Sequence, residues 1–352
     1  MGEIARKADG RRIFTVKFVR IAATSLMLGL LAASVPHIAR AAQLTAGQGF
    51  ISPAATGIWV ARDRGFFTKH GLDVRLVQVT GSTVALQALL LAGELQVMLG
   101  APSQGLTAVA AGADLISIAS LGPKMPYHLI ARPEIRSAAD LKGKRLGVSG
   151  PGLSADRVGL LLALKQLKLD PQRDGIAFIP TGTQSERVQA LVAGRIDASV
   201  NDPLRRAIAE RLGMVVLSDL SKLDIPWDHA VVLLHRQFAK SNPGAVEALL
   251  KALLEANAFI LNPANKRAVM STLAKDLKLD KGEDVELAYN LTISLYIERK
   301  PYPSVKAARA LIEAVQSEFP NLARVSPETH IDHSFLKKLD ESGFIDRLYQ
   351  GK

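Results

Sequence analysis

The chain has 352 residues, 48% hydrophobic and 22% charged, long enough for about two ordinary domains and too apolar for a disordered chain. It contains no cysteine, which excludes thiol nucleophiles, Cys-ligated zinc, iron–sulfur clusters, disulfides and a lipid-attachment cysteine. The formal charge of +11 comes with only 5% aromatics and, outside the N-terminus, with charges of both signs interspersed, so a nucleic-acid-binding face is not expected.

Residues 1–41 read as an export signal. They hold seven basic residues (Arg6, Lys7, Arg11, Arg12, Lys17, Arg20, Arg40) and two acidic ones (Glu3, Asp9). Ile21 to Val35 is uncharged, and Ala39-Arg40-Ala41 supplies the small residues of a cleavage site. The uncharged stretch is short for a bilayer span, which needs about 20 residues, so a cleavable signal is favoured over an anchor. Arg11-Arg12-Ile13-Phe14 resembles a twin-arginine signal, without Ser or Thr at position 10. The mature protein is expected in the periplasm, relying on its core alone for stability.

Elements then alternate. Val74 to Val79 has period-two strand character and ends at Thr80-Gly81; a helical run follows to Ala92 and stops at Gly93. Gln96 to Leu99 reads as a strand, Pro102 to Ala111 as a helix closed by Gly112, and Leu115 to Ala119 as a strand. Such β-α-β-α order implies a mostly parallel sheet covered by helices. The rhythm returns 101 residues later: Thr80-Gly81 falls on Thr181-Gly182, Ala92-Gly93 on Ala193-Gly194, and Pro102 on Pro203. Two lobes of like construction are expected.

Tyr127 to Arg132 and His229 to His235 are extended runs near prolines and are read as two strands crossing between lobes, the geometry of a hinge. The expected division is 42–132 with 229–352 for lobe 1 and 133–228 for lobe 2. From Asn242-Pro243 onward the chain is helical: Ala245 to Leu261, Lys266 to Leu277, Val285 to Ile297, Ser304 to Phe319 with Ser304 as N-cap, and Ser334 to Ser342. With no polar linker before them, these helices are expected to pack on the first lobe.

Ligands of open α/β sheets bind beyond the carboxyl ends of the strands. The turns there run from Gln48 to Thr56, Gly81-Ser82-Thr83, Gly100 to Gln104, Ser149 to Ser154, Thr181 to Gln184, and Asn201-Asp202-Pro203. Each combines glycine or a small polar residue with a helix start, where free N–H groups favour anions. Their hydroxyls serve equally as helix caps. None of the turns holds Arg or Lys, so the expected site takes an anion or polar head without a cationic side chain. Gly150-Pro151-Gly152 lacks the ending of a P-loop, and Gly147-Val148-Ser149 is not a nucleophile elbow. His330 and His333 share i,i+3 spacing without an evident third ligand and are expected at the surface, so no metal or cofactor is expected. Trp227 and Tyr127, at the crossings, could wall a ligand or pack in the core.

Ile58 to Val74 (IWVARDRGFFTKHGLDV) resembles the A-x-x-x-G-F-F-x-x-x-G-L-x-V segment of substrate-binding proteins serving ABC importers of the nitrate, sulfonate and taurine type. Ala139 to Val148 (ADLKGKRLGV) and Ala190 to Ala198 (ALVAGRIDA) are similar to that family's D-L-K-G-K-R-I-G-V and A-L-x-x-G-x-I-D-A segments. Together the resemblance spans about residues 44–240. It implies an α/β, type II periplasmic-binding-protein fold, two α/β lobes joined by two hinge strands, and a non-enzymatic, monomeric receptor that delivers a small anionic or polar solute to an ABC permease and its ATPase. Gln48, Phe50, Ser52, Ser82, Ser103, Ser154, Thr183 and Asn201 are the contacts it implies, joined by Tyr127 and Trp227 from the crossings. The alternative is an enzyme on the same fold acting on a pyrimidine or aromatic precursor; the export signal and the missing cysteine speak against it.

Overall fold

The computed structural model describes residues 41–79 and 83–350. The export signal read at 1–41, but for its last residue, and Ser82 lie outside the described residues. Among the described residues ten strands are arranged in two five-stranded sheets. The first contains β1 (Ala42–Gln48), β2 (Leu72–Gln78), β3 (Val97–Gly100) and β4 (Leu115–Ser120). The second contains β5 (His128–Ala131), β6 (Arg145–Val148), β7 (Ala177–Pro180), β8 (Ala198–Asn201) and β9 (Val215–Asp219); β10 (Val231–His235) returns to the first. The orders are β2-β1-β3-β10-β4 and β7-β6-β8-β5-β9. In each sheet the strand contributed from across the crossing, β10 or β5, is antiparallel to its neighbours.

The 101-residue register is kept element by element. Helix α1 (Thr83–Leu91) matches α3 (Gln184–Val192) once helix α2 (Pro102–Ala110) has intervened, and α2 in turn matches Pro203–Arg211. Strand β3 matches β8 at the same offset. Pro102 and Pro203 each open their helix, where the missing N–H leaves no orphan. Gly93 and Gly194 both take left-handed φ, 78° and 67°, which closes the preceding helix as the pattern required.

The chain crosses between sheets through residues 121–127 and 220–230. Tyr127 to Arg132, expected to cross, enters the second sheet instead: His128–Ala131 pairs along its length with β8 and β9. Its alternating neighbours, Leu129 and Ala131 on one face and Ile130 on the other, are all buried, which fits a strand covered on both faces.

The resemblance segments are structural pieces. Gly65 and Gly71 take φ of 68° and 78° around the one-turn helix Phe66–Lys69, so Phe67 and Leu72 reach the first core. Asp197 of the Arg-Ile-Asp-Ala segment accepts hydrogen bonds from the backbone N (2.9 Å) and Nε (3.1 Å) of Arg145, which lies in the other segment.

Helices Pro243–Leu261, Lys266–Leu277 and Ser334–Glu341 bury their apolar faces in the first core, as expected. Helix Val305–Val315 departs from that expectation. Its Ala308, Leu311, Ile312 and Val315 share a cluster with Leu160, Leu161 and Leu164 of the second lobe, and with Leu106 of α2. The reason is its strongly one-sided apolar stripe, which is completed by the leucines of Ala155–Gln166. In the opposite sense, Leu204 from the second lobe's Pro203–Arg211 sits in the first core. Val285 to Ile297 is not one helix: Gly282–Leu291 passes into a π-turn at Thr292–Tyr296.

Candidate functional site

The carboxyl ends of four strands and both crossings converge on a cleft of about 80 Å³ between the sheets, room for roughly half a dozen waters. Gly49 to Ser52 reach it after β1, Ala101 and Gln104 after β3, and Ser149 and Ser154 after β6. Thr183 and Gln184 follow β7, and the crossings add Tyr127 and His229.

Three helices begin at its wall. Ala101 stands at the N-cap of α2, Ser154 at that of Ala155–Gln166, and Thr183 at that of α3. Their axes bring the positive ends of three macrodipoles to one small space. Ser154 Oγ accepts from Arg157 N at 3.4 Å and Thr183 Oγ from Glu186 N at 3.3 Å, so both hydroxyls cap as well as line. Ser52 Oγ likewise accepts from Ala54 N at 3.3 Å.

A guanidinium completes the arrangement, contrary to the expectation of a site without one. Arg187, on the first turn of α3, lines the cleft and is 2% exposed. Its Nη1 donates to Gly182 O at 2.8 Å and its Nη2 to Val200 O at 3.2 Å, while Nε has no hydrogen-bond partner. Across from it lies Asp156, on the first turn of Ala155–Gln166, with Oδ2 3.7 Å from Arg187 Nη1. Asp156 is held by Ser149, whose backbone N donates to Oδ2 at 2.6 Å and whose Oγ donates to Oδ1 at 2.9 Å.

The remaining wall is aromatic. The His229 ring lies 5.4 Å edge-to-face from Tyr127, 5.4 Å from Tyr296 and 6.4 Å from Phe50. Burial pushes the His229 imidazole down to about 4, so it is neutral at pH 7. Burial also raises the Tyr127 phenol, with Asp156 adding to the effect. Both faces of the crossing meet here: His229 N donates to Gly122 O at 2.7 Å, and Gly122 takes φ of 132° with no room for a Cβ beside Tyr296.

Phe50, Ser52, Tyr127, Ser154 and Thr183 of the candidate residues therefore line the cleft. Gln48, Ser103, Asn201 and Trp227 do not. The Gln48 amide donates to Phe50 O at 2.6 Å and its Oε1 accepts from Trp59 Nε1 at 3.1 Å, which consumes it in the first lobe. Ser103 Oγ donates to Leu153 O at 2.7 Å, a bond between the lobes. Asn201 Nδ2 donates to Ser199 Oγ at 2.8 Å within β8, and Trp227 is packed in the second core. Asp202 is the N-cap of Pro203–Arg211, with Oδ1 accepting from Arg205 N at 2.9 Å, and burial raises its carboxyl. Arg187 and Asp156 are the charged cleft residues that sequence reasoning missed. Their signal was their place on the first turns after Thr183 and Ser154.

His330, expected at the surface, is buried: its Nδ1 is 3.0 Å from Leu115 O, and its ring fills the space left by Gly105. His333 Nε2 lies 2.6 Å from Pro303 O. Among the described residues no group of three metal-ligating side chains is assembled, and no helix is long and apolar enough to cross a membrane.

The chain resembles known proteins over most of this architecture. A protein of Brucella abortus, named only as a binding protein, is 31% identical over 264 residues, covering 73% of this chain and 79% of the relative. The alkanesulfonate-binding protein SsuA of Xanthomonas axonopodis, solved with bound MOPS, superposes with a TM-score of 0.68 at 21% identity, covering 83% of this chain and 99% of that one. The periplasmic nitrate-binding protein NrtA of Synechocystis superposes with a TM-score of 0.71 at 14% identity, covering 88% and 91%. The fold is thus the type II periplasmic-binding fold expected from the sequence. The family described as NMT1/THI5 like matches residues 52–266, and with two sheets, two crossings and the cleft between them the chain belongs to that family.

Proposed function

We propose that the protein is an extracytoplasmic receptor that binds a small organic oxyanion between its lobes and presents it to the permease of an ABC importer. The observation that carries this reading is the convergence of three helix N-termini and the buried Arg187 on one small cleft. A sulfonate or carboxylate there would accept from backbone N–H groups and from the guanidinium donors that Gly182 and Val200 leave open. The similarity to a sulfonate-binding and a nitrate-binding protein, and the signal-like residues 1–41, support the same reading.

Binding without turnover fits the histidine. His229 Nδ1 has no hydrogen-bond partner, so no carboxylate orients the ring as a general base. The deciding experiment is thermal unfolding of the mature protein with nitrate, short alkanesulfonates and short carboxylates, with NMR of each compound after incubation. The expected result is a raised Tm for one class and an unchanged compound. No stabilisation by any of them at millimolar concentration, or a mature protein retained in the cytoplasm, would overturn the proposal.

A further inference from the structure

Beyond the two crossings between the sheets, the chain passes from lobe to lobe again in its helical part. Residues 297–304 lead from the first lobe to helix Val305–Val315, whose Leu311, Ile312 and Val315 lie with Leu160, Leu161 and Leu164 in the second core. The segment after that helix is held on the same side. The Arg157 guanidinium sits 5.0 Å from the Phe178 ring and 5.4 Å from that of Phe319, and 3.6 Å from the Glu318 carboxylate. The chain then returns to the first sheet, where Asp332 N donates to Ser117 O at 2.9 Å and Ile331 bridges to Ser117.

Asp228 ties three of these passages together. It stands on the second crossing, and Ser120 Oγ, at the mouth of the first, donates to its Oδ1 at 2.7 Å. Ser304 N, at the end of 297–304, donates to its Oδ2 at 2.8 Å. Two backbone bonds run alongside, from Ser120 N to Pro301 O at 2.9 Å and from Leu121 N to Ala230 O at 2.7 Å. Asp228 is buried, so its bonds are shielded from water and keep their strength.

Toward the first lobe, residues 305–325 meet α2. That helix turns Leu106, fully buried, and the half-buried Val109 and Ala110 to the second core, where Leu106 shares a cluster with Leu322 and Val325. This seam is thinner than the three leucines and the two phenylalanine rings about Arg157 that hold the segment to the second lobe. It also lies behind the cleft, because α2 and Ala155–Gln166, the helices it joins, both begin at the cleft wall.

We infer that residues 305–325 form a strap that travels with the second lobe when the cleft opens, so that the lobes swing on four passages of chain fastened at Asp228, and opening breaks the seam under α2.

The chain has no cysteine, so spin labels can be placed at chosen pairs. Exposed positions are available in the first lobe (Thr68→Cys, Arg267→Cys), the second (Gln189→Cys) and the strap (Glu313→Cys). Pulsed electron resonance on the ligand-free protein should show an added, longer population in the distances from Thr68 and Arg267 to both Gln189 and Glu313. A swing of about 15° moves a point ~25 Å from the hinge by about 6 Å. The Gln189–Glu313 distance should stay single and narrow. Leu106→Ala should raise the open-to-closed ratio on the order of 10-fold, because the open state no longer buries that side chain. A Glu313 label that keeps its distance to the first lobe while Gln189 moves overturns the inference, as does the absence of a longer population in every pair. An unchanged ratio in Leu106→Ala overturns the seam. No ligand is added, so these results stand whether or not the cleft takes an oxyanion.

Discussion

Replacing His229 by Phe should change how stability depends on pH, because His229 and its neighbour Asp228 titrate in opposite directions. Burial pushes the Asp228 carboxyl up to about 6, although Ser120 Oγ donates to it at 2.7 Å and Ser304 N at 2.8 Å. Between its ordinary value of 3.8 and about 6 the folded state binds the proton more tightly than the unfolded state. Its contribution to stability therefore grows as pH falls through that window, by about 3 kcal/mol in all. His229 runs the other way. Its imidazole falls from 6.5 to about 4, so the unfolded state binds more protons between those values. Stability present above 6.5 is lost as pH falls toward 4, again by about 3 kcal/mol. In the wild type the two slopes nearly cancel. Phe keeps the ring contacts with Tyr127 and Tyr296 and carries no proton. Relative to the wild type, the variant should gain about 3 kcal/mol between pH 7 and pH 4. Urea unfolding at half-unit pH steps, followed by fluorescence of the buried Trp59 and Trp227, measures the difference directly. A difference that stays constant across pH 4–7 would refute the reasoning.

Ser154→Trp places a large side chain in the cleft and should abolish the ligand-induced rise in Tm; loss of the cap should lower the ligand-free protein's stability by about 1 kcal/mol in chemical unfolding. Gly122→Ala should cost about 2–3 kcal/mol, since φ is 132° and the added Cβ would lie 2.9 Å from Tyr296 Cδ1; differential scanning calorimetry reads the loss. Arg211 at the end of Pro203–Arg211 pairs with Asp284 and, at 3.4 Å, with Glu283 across the lobes. Arg211→Ala should speed ligand release up to about fivefold at low salt and less at high salt, as measured by stopped-flow fluorescence.

Most of the architecture was legible because it is written in local punctuation. Pro102 and Pro203 can only open helices, Gly93 and Gly194 can only close them, and their common spacing of 101 residues disclosed two like lobes before any contact was known. The resemblance segments carried the fold and not the ligand, since Phe67, Leu72 and Asp197 serve packing and a salt bridge. The cleft was legible only in outline. Strand ends and caps located it, yet whether a residue at a strand end faces the cleft is set by tertiary partners. Gln48 is drawn inward by Trp59, and Asn201 is tied to Ser199 within its strand. Arg187 looks like one more charge on an amphipathic helix; only the carbonyls of Gly182 and Val200, brought together by folding, turn it into the cleft wall. His330 was misplaced for a similar reason: the absence of a side chain at Gly105, far away in sequence, makes its buried site.

The exchange of apolar elements between the lobes has a consequence for synthesis and maturation. The leucines of Ala155–Gln166 are covered by residues 305–325, which leave the ribosome about 150 residues later. Until then the middle of the chain presents an unroofed greasy face, the condition in which intermediates associate with one another. The last seventh of the polypeptide thus acts as the closing stone of a half assembled long before it, and a nascent chain stalled ahead of residue 305 would need a holding factor to stay in solution.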